Sequence, residues 1–196
     1  MTAIFSTGFD RFVCTGDTIE AERDGFTVRA AIHDDDDTTP PWGREDGHGD
    51  VTGWTRRAKE PGELVLSEDR DSKRFYDFAG ACRKALAEGW RNREDARAVE
   101  AGEPVNRSAR EVASRAARQD FETLRAWCRD DWHYCGVVVT VEREGVELAS
   151  ESLWGVERNY PGSDNAYLTE TAEELAEGAL EAARATIARL AETISK

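Results

Sequence analysis

Three short constellations hold the side chains whose types and spacing could do chemistry. In His33, Asp34, Asp35, Asp36 and Asp37 an imidazole precedes four adjacent carboxylates, and hard cations such as Ca²⁺ and Mg²⁺ need several oxygen ligands. Counted from Asp34 as the first place of a calcium loop, Asp36 falls third, Thr38 fifth and Glu45 twelfth. The register fails at the sixth place, where the sharp turn demands glycine and the chain has Thr39, followed by Pro40 and Pro41. Four neighbouring carboxylates repel one another, so their simplest setting is an exposed strand end where water and salt screen them. His48, with Glu45, Asp46 and Asp50 beside it, has the makings of a general base and its orienting carboxylate, yet no nucleophile stands out. Cys128, His133 and Cys135, spaced C-x₄-H-x-C, lack the second half of a zinc site, and Cys128 falls on the apolar side of a helix. These residues name no catalytic group, metal or cofactor.

The same residues suit recognition better. Trp42 or Trp54, within the turn-rich stretch over residues 32–54, would pin a structured loop presenting Asp34, Asp35, Asp36, Asp37, Glu45 and Asp46. A second turn-rich loop over residues 159–167 offers Tyr160, Asp164 and Tyr167 as a contact surface, although Asp164 or Asn165 would equally start the following helix. That helix carries Glu170, Glu173, Glu174, Glu177 and Glu181 in its first half and Arg184, Arg189 and Lys196 in its second. The order complements the helix dipole. It also makes a dense negative face, with Glu173, Glu174 and Glu177 as expected partner contacts. A row of Arg107, Arg118, Arg125 and Arg129 could follow a nucleic-acid backbone, but Glu111 and Glu122 share its arc, as on a solvated helix face laced by i,i+4 pairs.

The elements that must position these groups follow from periodicity. Phe26, Val28, Ala30 and Ile32 alternate as in a half-buried strand, and residues 3–14 suggest another. Residues 63–66 and 73–76 around a polar tip predict a hairpin, followed by a helix capped by Asp77 and stopped by Gly89, with Phe78, Ala81, Cys82, Ala85 and Leu86 as its apolar stripe. Residues 91–106 are charged, contain Gly102 and Pro104, and suit an exposed connection. A long helix is expected over residues 108–127, then a hairpin over 136–154 turning at Arg143, Glu144 and Gly145, with Val137, Val139 and Val141 on one face of a central strand. A helix over residues 169–194 closes the chain. This order predicts an α+β fold, an antiparallel sheet of about five or six strands with about three helices mainly on one face, in a single domain spanning residues 1–196.

Charge narrows the partners. The chain of 196 residues has a formal net charge of −14, which opposes general attraction to nucleic acid or to an anionic membrane surface. Residues 1–69 hold 7 Lys/Arg against 16 Asp/Glu, residues 70–129 hold 14 against 10, and residues 130–196 hold 5 against 14, so two acidic flanks bracket a mildly basic centre. No segment approaches the ~20 apolar residues of a membrane span, and the first residues show no signal-peptide pattern. Four irregularly spaced cysteines suit reduced thiols, so a cytoplasmic protein is expected.

Four stretches, HDDDD-x₂-PPWGREDGHGDVTGWTRR, KRFYDFAGA, LRAWCRDDWHYCGVVV and SLWGVERNYPGSDNAYL, resemble a group of proteins without assigned activity carried by phages, plasmids and integrated elements of proteobacteria. The likeness runs from about Phe26 to Leu168 and brings no functional residues with it. It implies a host bacterial cell and a setting in which inhibitors of restriction and CRISPR systems are common. The expectation is therefore a non-enzymatic, cofactor-free protein of anti-CRISPR or anti-restriction type, whose acidic surface occupies a basic nucleic-acid-binding surface of a host protein. The alternatives are a metal-dependent enzyme centred on His48 and the four aspartates, and a nucleic-acid-binding factor using the arginine row.

Overall fold

The computed structural model describes residues 3–44 and 47–194. In chain order the elements are β1 (Thr18–Arg23), β2 (Phe26–Asp34), α1 (Pro41–Arg44), β3 (Glu63–Asp69), β4 (Ser72–Asp77), α2 (Phe78–Glu88), α3 (Arg93–Glu100), α4 (Ala109–Trp127), β5 (His133–Arg143), β6 (Val146–Arg158) and α5 (Ala166–Ile194). The fold is α+β, with the six strands in two sheets where the sequence suggests one, and the chain packs as two compact units. Unit 1 comprises Met1–Thr38 and Trp132–Lys196, and unit 2 comprises Thr39–Asp131. The first of the two breaks, after Thr38, falls inside the turn-rich stretch that neither helical nor strand periodicity covers, and the second follows Asp131. No helix among the described residues is long and apolar enough to cross a membrane.

Unit 1 is an antiparallel sheet of order β1-β2-β5-β6 with α5 on one face. Its hairpin turns are Asp24-Gly25 and Glu144-Gly145, all four residues at positive φ, as a two-residue turn matching the strand twist requires. On β2 the residues Phe26, Val28, Ala30 and Ile32 are buried, and β5, with β2 on one side and β6 on the other, buries Cys135, Val137, Val139 and Val141. Against this layer α5 sets Leu168, Ala172, Ala176, Ala179, Leu180 and Ala183. Its alanines let the helix lie close to the sheet, and each Val, Ile or Leu so buried contributes about 1.5–3 kcal/mol. The stretch expected to be a strand over residues 3–14 forms none. It is held to unit 1 by side chains instead: Phe5 and Val13 enter the core, and the Phe9 N–H donates to Thr169 Oγ1 at 2.9 Å.

Unit 2 is built on the β3–β4 hairpin, with residues 51 and 55 bridged to Tyr76 and Lys73 of β4. Asp77 caps α2 by accepting the Gly80 N–H at 2.8 Å, and Gly89 ends it in the left-handed region. Ser108 opens α4 with a full capping box to Glu111. Ala81 of α2 joins Leu66, Tyr76, Ala117, Phe121 and Leu124 in one buried cluster. Leu86, expected on the apolar stripe, is 46% exposed. It stands at the rim of a groove of about 360 Å³ shared with Trp90, Val99, Val105 and Val112.

The expected exposed connection over residues 91–106 contains α3, and Asn92 and Asp95 are buried. Composition misleads here because the charges satisfy one another. Arg107 Nη1 donates to Asp95 at 2.7 Å and Nη2 to Glu94 at 2.9 Å, while Arg115 pairs with the same two carboxylates.

Candidate functional site

The formal charge divides unevenly between the units. Unit 1 holds 8 Lys/Arg against 21 Asp/Glu, a net −13, and unit 2 holds 18 against 19, a net −1. The acidic site therefore belongs to unit 1, and α5 organises it. Glu170, Glu174, Glu177 and Glu181 are all exposed, and their spacing of four, three and four residues keeps them within an arc of about 60°. The row is about 16 Å long. No ion pair reaches these four among the described residues. Glu173 falls outside the arc and does different work: its carboxylate accepts the N–H groups of Ile4 at 2.8 Å and Phe5 at 2.9 Å.

Aspartates gather at the end of the sheet where β2 and β6 finish and α5 begins. Asp34 is tied down, accepting from the Thr15 hydroxyl and from Arg158 Nη2 at 3.2 Å. Asp35 Oδ1 accepts the Asp37 N–H at 3.0 Å, turning the chain at the strand end. Asp36, Asp37 and Asp164 are exposed, and Asp164 Oδ1 accepts the Ala166 N–H at 3.1 Å, so it also starts α5.

The loop expected to offer tyrosines is tied together by a buried asparagine, with Tyr160 and Tyr167 half-buried. Asn165 is fully buried and donates to the Arg11 carbonyl at 3.0 Å and to Asn159 Oδ1 at 2.9 Å, while accepting the Asn159 N–H at 2.9 Å. Asn159 in turn exchanges two hydrogen bonds with the Val13 backbone, each 2.9 Å. Tyr160 packs edge-on against buried Trp132 at 5.0 Å, and Tyr167 donates its hydroxyl to the Glu157 carbonyl at 2.6 Å. Tyr160, Tyr167 and Glu173 are thus engaged within unit 1. Of the expected contacts in unit 1, Asp34, Asp36, Asp37, Asp164, Glu174 and Glu177 are exposed, Asp34 while paired with Arg158, and Glu170 and Glu181 join them.

Trp42 is a packing residue of unit 2, edge-on to Trp127 at 5.4 Å, with Arg74 lying between the rings of Trp42 and Trp54. Glu45 and Asp46 lie outside the described residues. The orienting carboxylate of His48 is Asp120 of α4, which accepts His48 Nδ1–H at 2.6 Å, the Gly49 N–H at 2.9 Å and the Tyr76 hydroxyl at 2.7 Å. Lys84 Nζ donates to the His48 carbonyl at 3.0 Å. Burial, then the Asp120 charge, pushes the Tyr76 hydroxyl far above its usual range, so it stays a donor. A Cβ on Gly49 would strike the Tyr76 ring, which explains the glycine. This arrangement staples the loop around His48 to α4 and holds the orientation of the imidazole.

The remaining chemistry is weak. Cys135 is buried, and burial pushes its thiol up to about 11; burial raises Cys128 too. All four cysteines are free, and neither Cys128 nor Cys135 is a ready thiolate. Among the described residues no group of three or more His, Cys, Asp and Glu side chains is placed to hold a metal ion. The arginine row is largely taken up: Arg107 by Glu94 and Asp95, Arg118 over the rings of Phe78 and Phe121, and Arg125 over Phe121.

Sequence reading missed Asp120 because the pairing spans 72 residues. It could have separated Glu173 from the outward row by helical angle alone. Comparison with protein families, curated proteins and solved structures finds no match for this chain.

Proposed function

We propose that the chain is a non-enzymatic binding protein whose acidic unit occupies a basic, phosphate-accepting surface of a nucleic-acid-handling host protein. In the mobile-element setting that the sequence resemblance implies, this makes it an inhibitor of anti-CRISPR or anti-restriction type. The observation that carries the reading is the concentration of −13 of the −14 charges in unit 1, with an unpaired glutamate row along α5. The magnitude fits a partial mimic. The row offers one carboxylate per about 5.5 Å of axis, against one phosphate per about 3.4 Å along each strand of duplex DNA. A charge row of this density, reinforced by the exposed aspartates at the end of the sheet, suits a groove lined by several Lys or Arg. Steering between such surfaces accelerates encounter and weakens with salt.

The test is phage plating on hosts that carry restriction or CRISPR systems, with and without the protein. Protection should appear with the wild type and vanish when Glu170, Glu174, Glu177 and Glu181 are changed together to Lys. Unchanged protection by that variant, or none from the wild type on any such host, would refute the proposal. A second reading, a hydrolytic or metal-dependent activity at His48, is favoured by one observation, the imidazole held by Asp120. Turnover lost in His48→Gln, with folding retained, would support it.

A further inference from the structure

β6 ends the sheet order and pairs only with β5, so its outer row of N–H and C=O groups has no neighbouring strand among the described residues. Long edges of this kind are normally blunted by bulges, Lys or Pro. β6 has register shifts opposite Cys135/Val137 and Val141/Glu142, yet residues 149–153 between them pair regularly with residues 137–141 and contain neither Lys nor Pro. The same stretch exposes apolar surface on both faces. Leu153, opposite Val137 and so on the α5 side, is 48% exposed; Trp154, lying on Gly136 on the other side, is 50% exposed.

The α5 side of this edge is acidic. Glu151 sits opposite Val139, and its Cγ lies 3.9 Å from the place a Cβ would take on Gly178 of α5. Glu174 and Glu181 are the i−4 and i+3 neighbours of Gly178, so the three carboxylates surround a notch where the helix has no side chain. That contact is ordinary, so packing does not demand glycine, although glycine within a helix costs about 0.5–1 kcal/mol relative to alanine. Lengths agree as well: five residues of added strand span about 17 Å, and the glutamate row about 16 Å.

We infer that the partner binds by strand addition to β6 at residues 149–153, through an extended segment in which Lys or Arg alternates with apolar residues. This rests on the acidic-surface reading and adds its geometry. The basic side chains of the segment point to the α5 side, toward Glu151, Glu174 and Glu181, and the intervening apolar ones lie over Ser152 and Trp154. Backbone hydrogen bonds supply the affinity and the alternation supplies the selection. A second copy of this chain is disfavoured, because pairing two β6 edges would bring two glutamate rows side by side.

The probe is a nine-residue peptide alternating Arg and Val, with blocked ends, compared with an isomer in which the same residues are grouped in two blocks. Anisotropy on the full chain should give at least tenfold tighter binding for the alternating peptide, and amide exchange should slow at alternate positions within residues 149–153. Leu153→Lys and Glu151→Lys should each weaken it about tenfold, with the free proteins equally folded by circular dichroism. Equal affinity for both isomers, lost on reversing the α5 glutamates, would overturn strand addition and leave the acidic-surface reading standing. Failure of the alternating peptide to bind, or a dimer already protected at residues 149–153, would also overturn it, while the plating assay tests the broader reading separately.

Discussion

The two units handle carboxylates in opposite ways. Unit 2 matches its acids to cations: Arg57 grips Glu63 with both terminal nitrogens, Arg107 and Arg115 share Glu94 and Asp95, Lys73 meets Glu68, and His48 meets Asp120. Its aromatic rings carry arginines in the same way, Arg74 between Trp42 and Trp54 and Arg118 over Phe78. Charge is consumed internally, and the unit comes out near neutral. In unit 1 several acids are tied to specific partners, Glu20 to Arg29 among them. Glu173 caps backbone N–H groups of the first residues, and Asp34 and Asp24 meet Arg158 and Arg184. Glu170, Glu174, Glu177 and Glu181 of α5 stay unpaired and outward, where their worth is the field they project. A paired acid answers to the fold, and an unpaired row answers to something outside it.

That contrast can be broken by mutation. The largest effect belongs to Asp120→Ala, which strips an acceptor from His48, Gly49 and the Tyr76 hydroxyl and should cost about 3–5 kcal/mol by urea denaturation. Plating protection by whatever folded protein remains should persist, because the acidic row is elsewhere in the chain. Asn165→Ala in unit 1 leaves the Arg11 carbonyl and the Asn159 side chain short of partners and should cost about 2–4 kcal/mol, read the same way. In the other direction, Gly178→Ala should stabilise the protein by about 0.5–1 kcal/mol, since a Cβ meets only Glu151 Cγ at ordinary distance. A thermal midpoint that falls would refute the notch. Reversing Glu174 and Glu177 to Lys should move stability by no more than about 0.5 kcal/mol per site while abolishing inhibition. A large loss of stability would show that the row serves the fold after all.

Acid titration sharpens the comparison within unit 2. Its hydrogen bonds to Arg57 hold the Glu63 carboxyl well below the ordinary 4.5, at about 2. Because the folded value is the lower one, the stability from this pair is fully present above pH 4.5 and is lost as pH falls toward 2. Glu63→Gln should therefore flatten the thermal midpoint between pH 4.5 and 2 relative to the wild type.

Much of the fold was legible because its signals are local. The valine alternation of β5, the Asp77 cap and Gly89 stop of α2, and the Ser108 box of α4 depend on neighbours one to four residues apart. The site was legible only in part. Asp36, Asp37, Glu174 and Glu177 are exposed, as runs of acids in the sequence suggest. Tyr160, Tyr167 and Glu173 engage Trp132, the Glu157 carbonyl and the N–H groups of Ile4 and Phe5, and exposed Asp34 also pairs with Arg158.

By itself the sequence determined most of the elements, the α+β class and an excess of 14 negative charges, because periodicity, caps and composition need no partner. Only the tertiary structure decided where that excess becomes free. Asp120 finds His48 across 72 residues, Glu173 reaches back to Ile4 and Phe5, and residues 39–131 close into a unit of their own between the two parts of the other. Ion pairs form between side chains that folding brings together, whatever their distance along the chain, so a carboxylate's availability is a property of the packed molecule.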